Sequence, residues 1–290
     1  MNNIIERAYA KLNISLDVLS KRPDGYHDLS MVMQTVSLCD VIRIVPLESE
    51  VISASTNVGF IPGDDRNLAV KAAKVFFAEA SIPLKGMNIE IIKSIPVGAG
   101  LAGGSADAGA VLRALNSAFG SPLDRDGLIS AAEKIGSDVA FCTLGGTMLA
   151  EGRGERLTPL TAMPDCCYVV VMPEFSISTP ELFKKIDGKK LRCHPDTAGL
   201  ISALDAGDIS GICRRMYNVF EDIGDRRMRT VSEIKSLLID SGALGAAMTG
   251  TGSAVFGVFD DADLAAKTAD AMKKDYKLSI AAENVPALVV

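Results

Sequence analysis

The chain has few of the residues that build metal centres and disulfide frameworks. It contains two histidines and six cysteines in 290 residues, and no two cysteines stand at the Cys-x-x-Cys spacing of zinc and redox motifs. This composition disfavours a metal cluster and a disulfide-stabilised fold. Unpaired thiols are typical of the reducing cytosol, where we expect the protein to work.

Basic runs and long apolar runs are also missing. The formal net charge is −6 and no segment concentrates lysine and arginine, which argues against a nucleic-acid partner. No apolar run approaches the roughly 20 residues of a membrane-spanning helix, and the first residues lack the pattern of a secretory signal. We therefore expect no membrane attachment. A hydrophobic fraction of 48% with 23% charged residues is typical of a globular chain with a sizeable core.

The most informative segment is a glycine-rich loop at residues 96–110. Alternating apolar residues at 87–92 predict a strand before it, and helical spacing at 111–119 predicts a helix after it. Glycine allows positive φ angles and leaves the backbone amides open to a ligand. The first amides of a helix are unpaired and carry a partial positive charge. Strand, loop and helix together therefore predict an anion site, most simply one for phosphate.

The sequence leaves other interpretations of this loop open. Ser105 could be an ordinary helix cap, although a cap does not need a run of glycines. The spacing Gly98-x-Gly100-x-x-Gly103 matches the dinucleotide fingerprint, but a turn replaces the acidic residue expected about 20 positions later. Gly104 stands where the Walker loop requires lysine, and the His-Arg-Asp and Asp-Phe-Gly motifs of protein kinases are missing.

Pro96–Ser105 resembles instead the second motif of the GHMP small-molecule kinases. Ala10–Asn13 is similar to the first motif of this family, and the glycine-rich segment at 242–259 is similar to the third. One departure is Ala102, where glycine is common. The resemblance implies that Mg²⁺ binds the phosphate oxygens of ATP, with Ser105 a candidate ligand. It implies that ATP is held by the loop residues Pro96, Val97, Gly98, Ala99, Gly100, Leu101, Ala102, Gly103, Gly104, Ser105 and Ala106.

Residues 8–18 alternate sharply between apolar and polar side chains, which predicts a strand with one buried and one polar face. Lys11 and Asn13 lie side by side on the polar face, which in an arbitrary strand would simply be solvated. The family resemblance implies that Lys11 lies at the reacting hydroxyl and Asn13 near polar groups of the substrate.

Asp138 stands in the segment Gly136–Phe141, before a short predicted helix. Its commonest use at that place would be a helix cap, but the resemblance implies that it is the catalytic aspartate. The resemblance also implies that Asn67 and Lys93 lie near the adenine of ATP. From the residues alone, Asn67 could be only a polar residue of a first helical turn, and Lys93 could be solvated.

The segment Arg22–His27 contains Pro-Asp-Gly, which is a turn because proline fixes φ and glycine accepts a positive φ. The segment resembles the cytosine-binding segment of one branch of the family, whose substrate is a CDP-linked polyol. Tyr26 would stack on the pyrimidine and His27 would bind its edge. The resemblance adds Phe183 as the second stacking ring and Thr179 as a hydroxyl at the substrate.

The resemblance implies an α+β fold with the active site between two domains. These are an N-terminal domain like the second domain of ribosomal protein S5, at 1–157, and a ferredoxin-like C-terminal domain, at 158–290. Local patterns predict two strands broken near Cys39 and a helix over 208–220. The implied activity is ATP-dependent phosphorylation of a CDP-linked polyol. The alternatives are a homoserine or mevalonate-type kinase, a nucleotide-binding protein without catalysis, and a dinucleotide enzyme.

Overall fold

The structure is a computed structural model that describes residues 3–189, 191, 193–223 and 226–290. It is a mixed α and β fold built around two sheets. The N-terminal half contains β1 (Ile4–Lys21), β2 (His27–Pro46), β3 (Ile52–Thr56), α1 (Leu68–Glu79), β4 (Met87–Ile92), α2 (Gly103–Ala118), α3 (Arg125–Glu133), α4 (Val139–Leu144), β5 (Thr147–Gly152) and β6 (Arg156–Pro159).

The C-terminal half carries the second sheet and most of the remaining helices. Its elements are β7 (Cys167–Met172), α5 (Thr179–Asp187), α6 (Thr197–Asp205), α7 (Ile209–Cys213), β8 (Tyr217–Asn218), a 3₁₀ helix (Val219–Ile223), α8 (Arg227–Asp240), β9 (Gly245–Met248), β10 (Val255–Phe259), α9 (Ala262–Met272) and β11 (Leu278–Glu283). No helix in the described residues has both the length and the apolar composition that crossing a bilayer requires.

The first sheet has seven strands within the described residues, in the order β3-β4-β2-β1-β8 with β5 and β6 branching from β2. The long β2 has β1 along one edge, and β4 and β5 occupy successive parts of its other edge. Helix α2 packs against β1 and β2. This packing places the glycine-rich loop, which leads into α2, beside the middle of β1.

β1 is buried on both faces, so the prediction of a half-buried strand was wrong. Lys11 and Asn13, on the polar face, are only 4% and 1% exposed. The cover comes from distant parts of the chain, because β8 pairs with β1 at Ser15 and the segment Thr249–Gly250 bonds to Asn13. Alternation within a strand reports polarity, but the elements that cover each face are set by tertiary structure.

Two other local predictions were also wrong. β2 runs unbroken through Cys39, because the irregularity there is a bulge, with Tyr9 opposite Cys39 and Lys11 opposite Thr35. The helix predicted over 208–220 ends at Cys213. Beyond it the side chain of Asn218 donates to the carbonyls of Met248 and Gly250, each at 2.8 Å, and these bonds hold the chain in the short strand β8.

The second sheet is antiparallel, with the strand order β11-β7-β10-β9. In chain order its strands lie 4-1-3-2, which is the ferredoxin-like arrangement, and the predicted fold class is confirmed. The predicted domain boundary after residue 157 falls inside β6 and stays a prediction. After β11 the chain returns to the N-terminal half, where the amide of Val285 donates to Thr35 and that of Leu288 donates to Leu144.

Helix α2 packs tightly against α4 at Gly109. A Cβ at this position would lie 2.8 Å from the carbonyl carbon of Cys142 and 2.9 Å from the amide nitrogen of Thr143. Because both neighbours are backbone atoms, they cannot turn aside as a side-chain tip can. Gly109 therefore lets α2, which begins at the glycine-rich loop, pack on α4, which begins after Asp138.

Gly109→Ala is expected to lower the free energy of unfolding by about 1–3 kcal/mol, because overpacking of a tight contact outweighs the better helix propensity of alanine. Urea denaturation measures the change. Gly104→Ala, in the same helix, is the control, since its Cβ would come only within 3.6 Å of Leu68. Equal stability of the two variants would contradict the prediction.

Candidate active site

A cavity of about 1110 Å³ is lined by residues from both halves of the molecule. Every residue predicted to bind or act lines it, except Leu101 and Ala106 of the glycine-rich loop. These two side chains are buried behind the loop, at 1% and 0% exposure. The fold thus brings together three motifs, the first and third of which meet through residues 236 and 237 positions apart in the chain.

The glycine-rich loop turns through several left-handed residues before α2 begins. The φ angles of Gly98, Gly100 and Ala102 are 71°, 81° and 57°. Ala102 is the N-cap residue of α2 and makes no capping hydrogen bond, so the interpretation of Ser105 as the cap was wrong. The Ser105 hydroxyl has no hydrogen-bond partner in the described part of the chain, and it lines the cavity. The first amides of α2 therefore keep their capacity to bind an anion.

The third motif packs directly on this loop. A Cβ at Gly100 would lie 2.2 Å from the carbonyl oxygen of Thr249, so the two backbones meet without an intervening side chain. The Thr249 hydroxyl also lies 3.3 Å from the Gly100 carbonyl oxygen, and the amide of Ala254 donates to Ala99 at 3.1 Å. These contacts fix the loop from the C-terminal half.

Asn13 joins the first motif to the third. Its side-chain oxygen accepts hydrogen bonds from the Lys11 ammonium at 2.5 Å and from the Gly250 amide at 3.0 Å. Its own backbone amide donates to the Thr249 hydroxyl at 3.1 Å. Asn13 therefore orients Lys11 and anchors the third motif, while its predicted contact with substrate stays a prediction.

Lys11 and Asp138 line the same cavity. Burial lowers the pKa of Lys11, and the charge of Asp138 acts in the opposite direction. Asp138 precedes α4 but its carboxylate does not cap it, so the helix-cap interpretation was wrong. No hydrogen bond or ion pair to another described residue occupies this carboxylate. An unengaged carboxylate beside a buried ammonium is suited to accept a proton from an alcohol.

Lys93 is held in a buried ion triad under the loop. Its ammonium pairs with Asp40 and, at 2.7 Å, with Asp107, and its side chain is only 4% exposed. The solvated interpretation of Lys93 was therefore wrong, although the side chain reaches the cavity wall. Asp40 also accepts the amide of Ile95 at 2.8 Å, so the triad anchors the strand-to-loop junction.

The triad contains more carboxylates than cations. Burial first, and then the charge of Asp40, raise the pKa of Asp107 to about 8 against the opposing effect of Lys93. One oxygen of Asp107 is buried without a hydrogen-bond partner. The sequence offered no signal for Asp40, which lies 53 positions from Lys93.

The adenine end predicted for the cavity contains Asn67 and exposed apolar residues. Asn67 caps α1, accepting the Ala69 amide at 2.9 Å and donating to the Pro62 carbonyl at 2.8 Å. Its amide group thus shapes the wall, and a contact with adenine stays a prediction. Phe60, missed in the sequence, lines this end and is 76% exposed.

The predicted cytosine end contains the aromatic residues. His27 stacks on Phe183, with ring centroids 4.7 Å apart, and Tyr26 lies under the Arg153 guanidinium at 5.1 Å. No ring contact between Tyr26 and Phe183 occurs among the described residues. Thr179 is hydrogen-bonded to Thr251 of the third motif at 2.8 Å. Arg153 had no recognisable signal in the sequence.

No group of three or more His, Cys, Asp or Glu side chains in the described ranges is arranged to hold a metal ion. Ser105 and Asp138 nevertheless line the cavity, and their side-chain oxygens have no hydrogen-bond partner among the residues that the structure describes. A hard cation such as Mg²⁺ uses few protein ligands when phosphates supply the others.

Comparisons with known proteins agree with this geometry. The model for the GHMP kinases N terminal domain matches residues 67–146, and that for GHMP kinases C terminal matches residues 200–278. A Clostridium kluyveri protein named 4-diphosphocytidyl-2-C-methyl-D-erythritol kinase is 43% identical over 93% of this chain and 96% of its own length.

Two solved structures share the fold. A 4-(cytidine 5'-diphospho)-2C-methyl-D-erythritol kinase superimposes with a TM-score of 0.80 at 31% identity, covering 97% of this chain and 98% of its own. A homoserine kinase from Cytophaga hutchinsonii has a TM-score of 0.76 at 19% identity, covering 99% and 96%, and at that identity the match concerns the fold alone.

The raised pKa of Asp107 has a consequence for stability. The folded protein keeps this proton up to about pH 8, whereas the ordinary value for an aspartate is 3.8. Folding therefore binds a proton between these values, and the contribution of Asp107 to stability falls as the pH rises from about 4 to about 8. Asp107→Asn should remove this fall, which thermal unfolding between pH 5 and pH 8 measures.

Asp40→Asn is the matched comparison, because Asp40 accepts bonds from Lys93 and from two backbone amides. We expect this variant to be less stable than the wild type at every pH in that range. Parallel stability curves for the wild type and Asp107→Asn would contradict the assignment of the proton to Asp107.

Proposed function

Because the chain belongs to the GHMP kinase family, we propose that it is a 4-diphosphocytidyl-2-C-methyl-D-erythritol kinase. It transfers the γ-phosphoryl group of ATP to the 2-hydroxyl of a CDP-linked polyol in the non-mevalonate route to isoprenoid precursors. The observation that carries the proposal is that the cytosine-type segment Arg22–His27 borders the same cavity as the phosphate loop and the pair Lys11 and Asp138. The names of the relatives support it.

The backbone amides of residues 98–105 and the start of α2 bind the ATP phosphates, because they offer unpaired donors in a region of positive potential. Ser105 would hold Mg²⁺ together with the phosphate oxygens, and the ion would supply positive charge for the transferred group. Lys93 supports the loop through its ion pairs with Asp40 and Asp107. Phosphoryl transfer needs positioning and charge stabilisation more than covalent chemistry, and these groups supply both.

Asp138 accepts the proton of the substrate 2-hydroxyl as the hydroxyl oxygen attacks. The Lys11 ammonium stabilises the developing negative charge on that oxygen, and Asn13 holds Lys11 in place. The low exposure of Lys11 strengthens this interaction, since the effective dielectric constant in a buried site is low.

The other end of the cavity binds the cytidine. The base stacks between Tyr26 and Phe183, and His27 binds its edge. Thr179 contacts the substrate through its hydroxyl. A homoserine or mevalonate-type kinase has no use for this set of aromatic residues, which favours the cytidine-linked substrate.

We propose further that the protein works in the cytosol, binds no nucleic acid, and divides near residue 157 into the two family domains. All six cysteines are free thiols, and the net charge of −6 supports the absence of a nucleic-acid partner.

A coupled ATPase assay across candidate alcohols tests the substrate. We expect the CDP-linked methylerythritol to be phosphorylated with a kcat/KM at least about 100-fold above those of homoserine and mevalonate, because the latter leave the base site empty. Equal or faster turnover of either alcohol would contradict the proposal. Binding of NAD(P)H followed by fluorescence tests the dinucleotide alternative, and we expect none.

Asp138→Asn should lower kcat by about 10²–10⁴-fold, the usual contribution of a general base, with ATP affinity unchanged. Single-turnover kinetics and equilibrium nucleotide binding measure the two effects. Asp126→Asn makes the same change at an exposed position of α3 outside the cavity and should leave kcat unaltered. Near wild-type turnover of Asp138→Asn would remove the base assignment.

A further inference from the structure

Asp187, the last residue of α5, joins the two halves of the molecule at the aromatic end of the cavity. One of its oxygens lies 2.7 Å from Nε2 of His27, and the other pairs with the ammonium of Lys21. Lys21 and His27 stand directly opposite each other where β1 pairs with β2. A single carboxylate therefore holds both strand ends of the Arg22–His27 turn.

The helix presents this carboxylate together with an aromatic ring and a hydroxyl. Thr179, Phe183 and Asp187 are spaced by four residues and so lie along one face of α5, and all three line the cavity. Phe183 stacks on the same His27 ring whose edge Asp187 binds. Stacking on Phe183 thus restrains the plane of the His27 imidazole, and the bond to the Asp187 carboxylate restrains rotation of the imidazole within that plane.

Stability alone does not explain this arrangement. Lys21 is 55% exposed and Asp187 is 28% exposed, and ion pairs at that exposure contribute little to the free energy of folding. His27, by contrast, is only 8% exposed. The contact between Asp187 and His27 is therefore the informative one, because it restrains a nearly buried ring at the wall of the cavity.

We propose that Asp187 is a positioning residue for the base of the substrate, which it serves by holding His27 and the adjoining Tyr26 in register with Phe183. This inference rests on the proposed function, because it takes the aromatic end of the cavity as the cytidine site. Asp187 itself need not touch the nucleotide. The carboxylate stays ionised at neutral pH, since Lys21 and then His27 lower its pKa.

The test compares Asp187→Ala with Asp187→Asn, in full-length protein. We expect Asp187→Ala to raise the KM for the CDP-linked substrate by about tenfold, as loss of a charge-assisted hydrogen bond does, with kcat and the KM for ATP within about twofold of wild type. Asp187→Asn keeps an acceptor for the His27 ring and should raise that KM by less than about threefold.

Glu181→Ala is the matched control. Glu181 lies on the same helix and pairs with Lys185 and Arg227, but it does not line the cavity. It should leave both KM values unchanged, and a comparable shift of the substrate KM in this variant would overturn the proposal. An equal rise of the substrate KM in Asp187→Ala and Asp187→Asn would overturn the inference that Asp187 acts through its hydrogen bond to His27.

Calorimetric binding of CDP separates this inference from the proposed function. Tenfold weaker CDP binding by Asp187→Ala than by wild type supports the inference whether or not the full substrate is phosphorylated. Wild-type protein that binds CDP but does not phosphorylate the CDP-linked polyol contradicts the proposed function alone. Unchanged CDP affinity in Asp187→Ala overturns the inference alone, and failure of the wild type to bind CDP overturns both.

Discussion

The side-chain oxygen of Asn13 is the point on which the site depends. It accepts the Lys11 ammonium from its own strand and the Gly250 amide from the third motif. Through Thr249 the same cluster reaches the carbonyl of Gly100 in the phosphate loop. Buried hydrogen bonds thereby hold together three segments that are distant in the chain. A buried polar network of this kind specifies one arrangement, because each missing bond would leave an unsatisfied group.

An acidic chain can present a site for anions by separating its charges. In the triad beneath the loop the Asp40 carboxylate neutralises Lys93 while Asp107 keeps its proton, so that lysine adds little net charge near the loop. The uncapped amides of α2 offer partial positive charge, and Lys11 makes no ion pair among the described residues. Local geometry, not composition, determines which cations are available to a ligand.

The sequence predicted the strand, loop and helix around residue 100 because their signals are local, and the ferredoxin-like sheet followed from the family resemblance. It did not predict the burial of Lys11 and Asn13, since the cover lies more than 200 positions away. Asp40 and Arg153 were not predicted for the same reason. Each has a role only through a partner distant in the chain, which is Lys93 for Asp40 and Tyr26 for Arg153. The sequence left Asn67 as either a polar residue of a first helical turn or a contact of adenine, and its role as the N-cap of α1 was not predicted.

The last described residues lie against the N-terminal half, where the amide of Val285 donates to Thr35 and that of Leu288 donates to Leu144. Leu144 ends the helix that begins beside Asp138. During synthesis, therefore, the first 150 residues leave the ribosome before the segment that makes these hydrogen bonds has been translated. The N-terminal half therefore folds at first without these contacts, and the third motif reaches Asn13 only after more than 200 further residues have been translated.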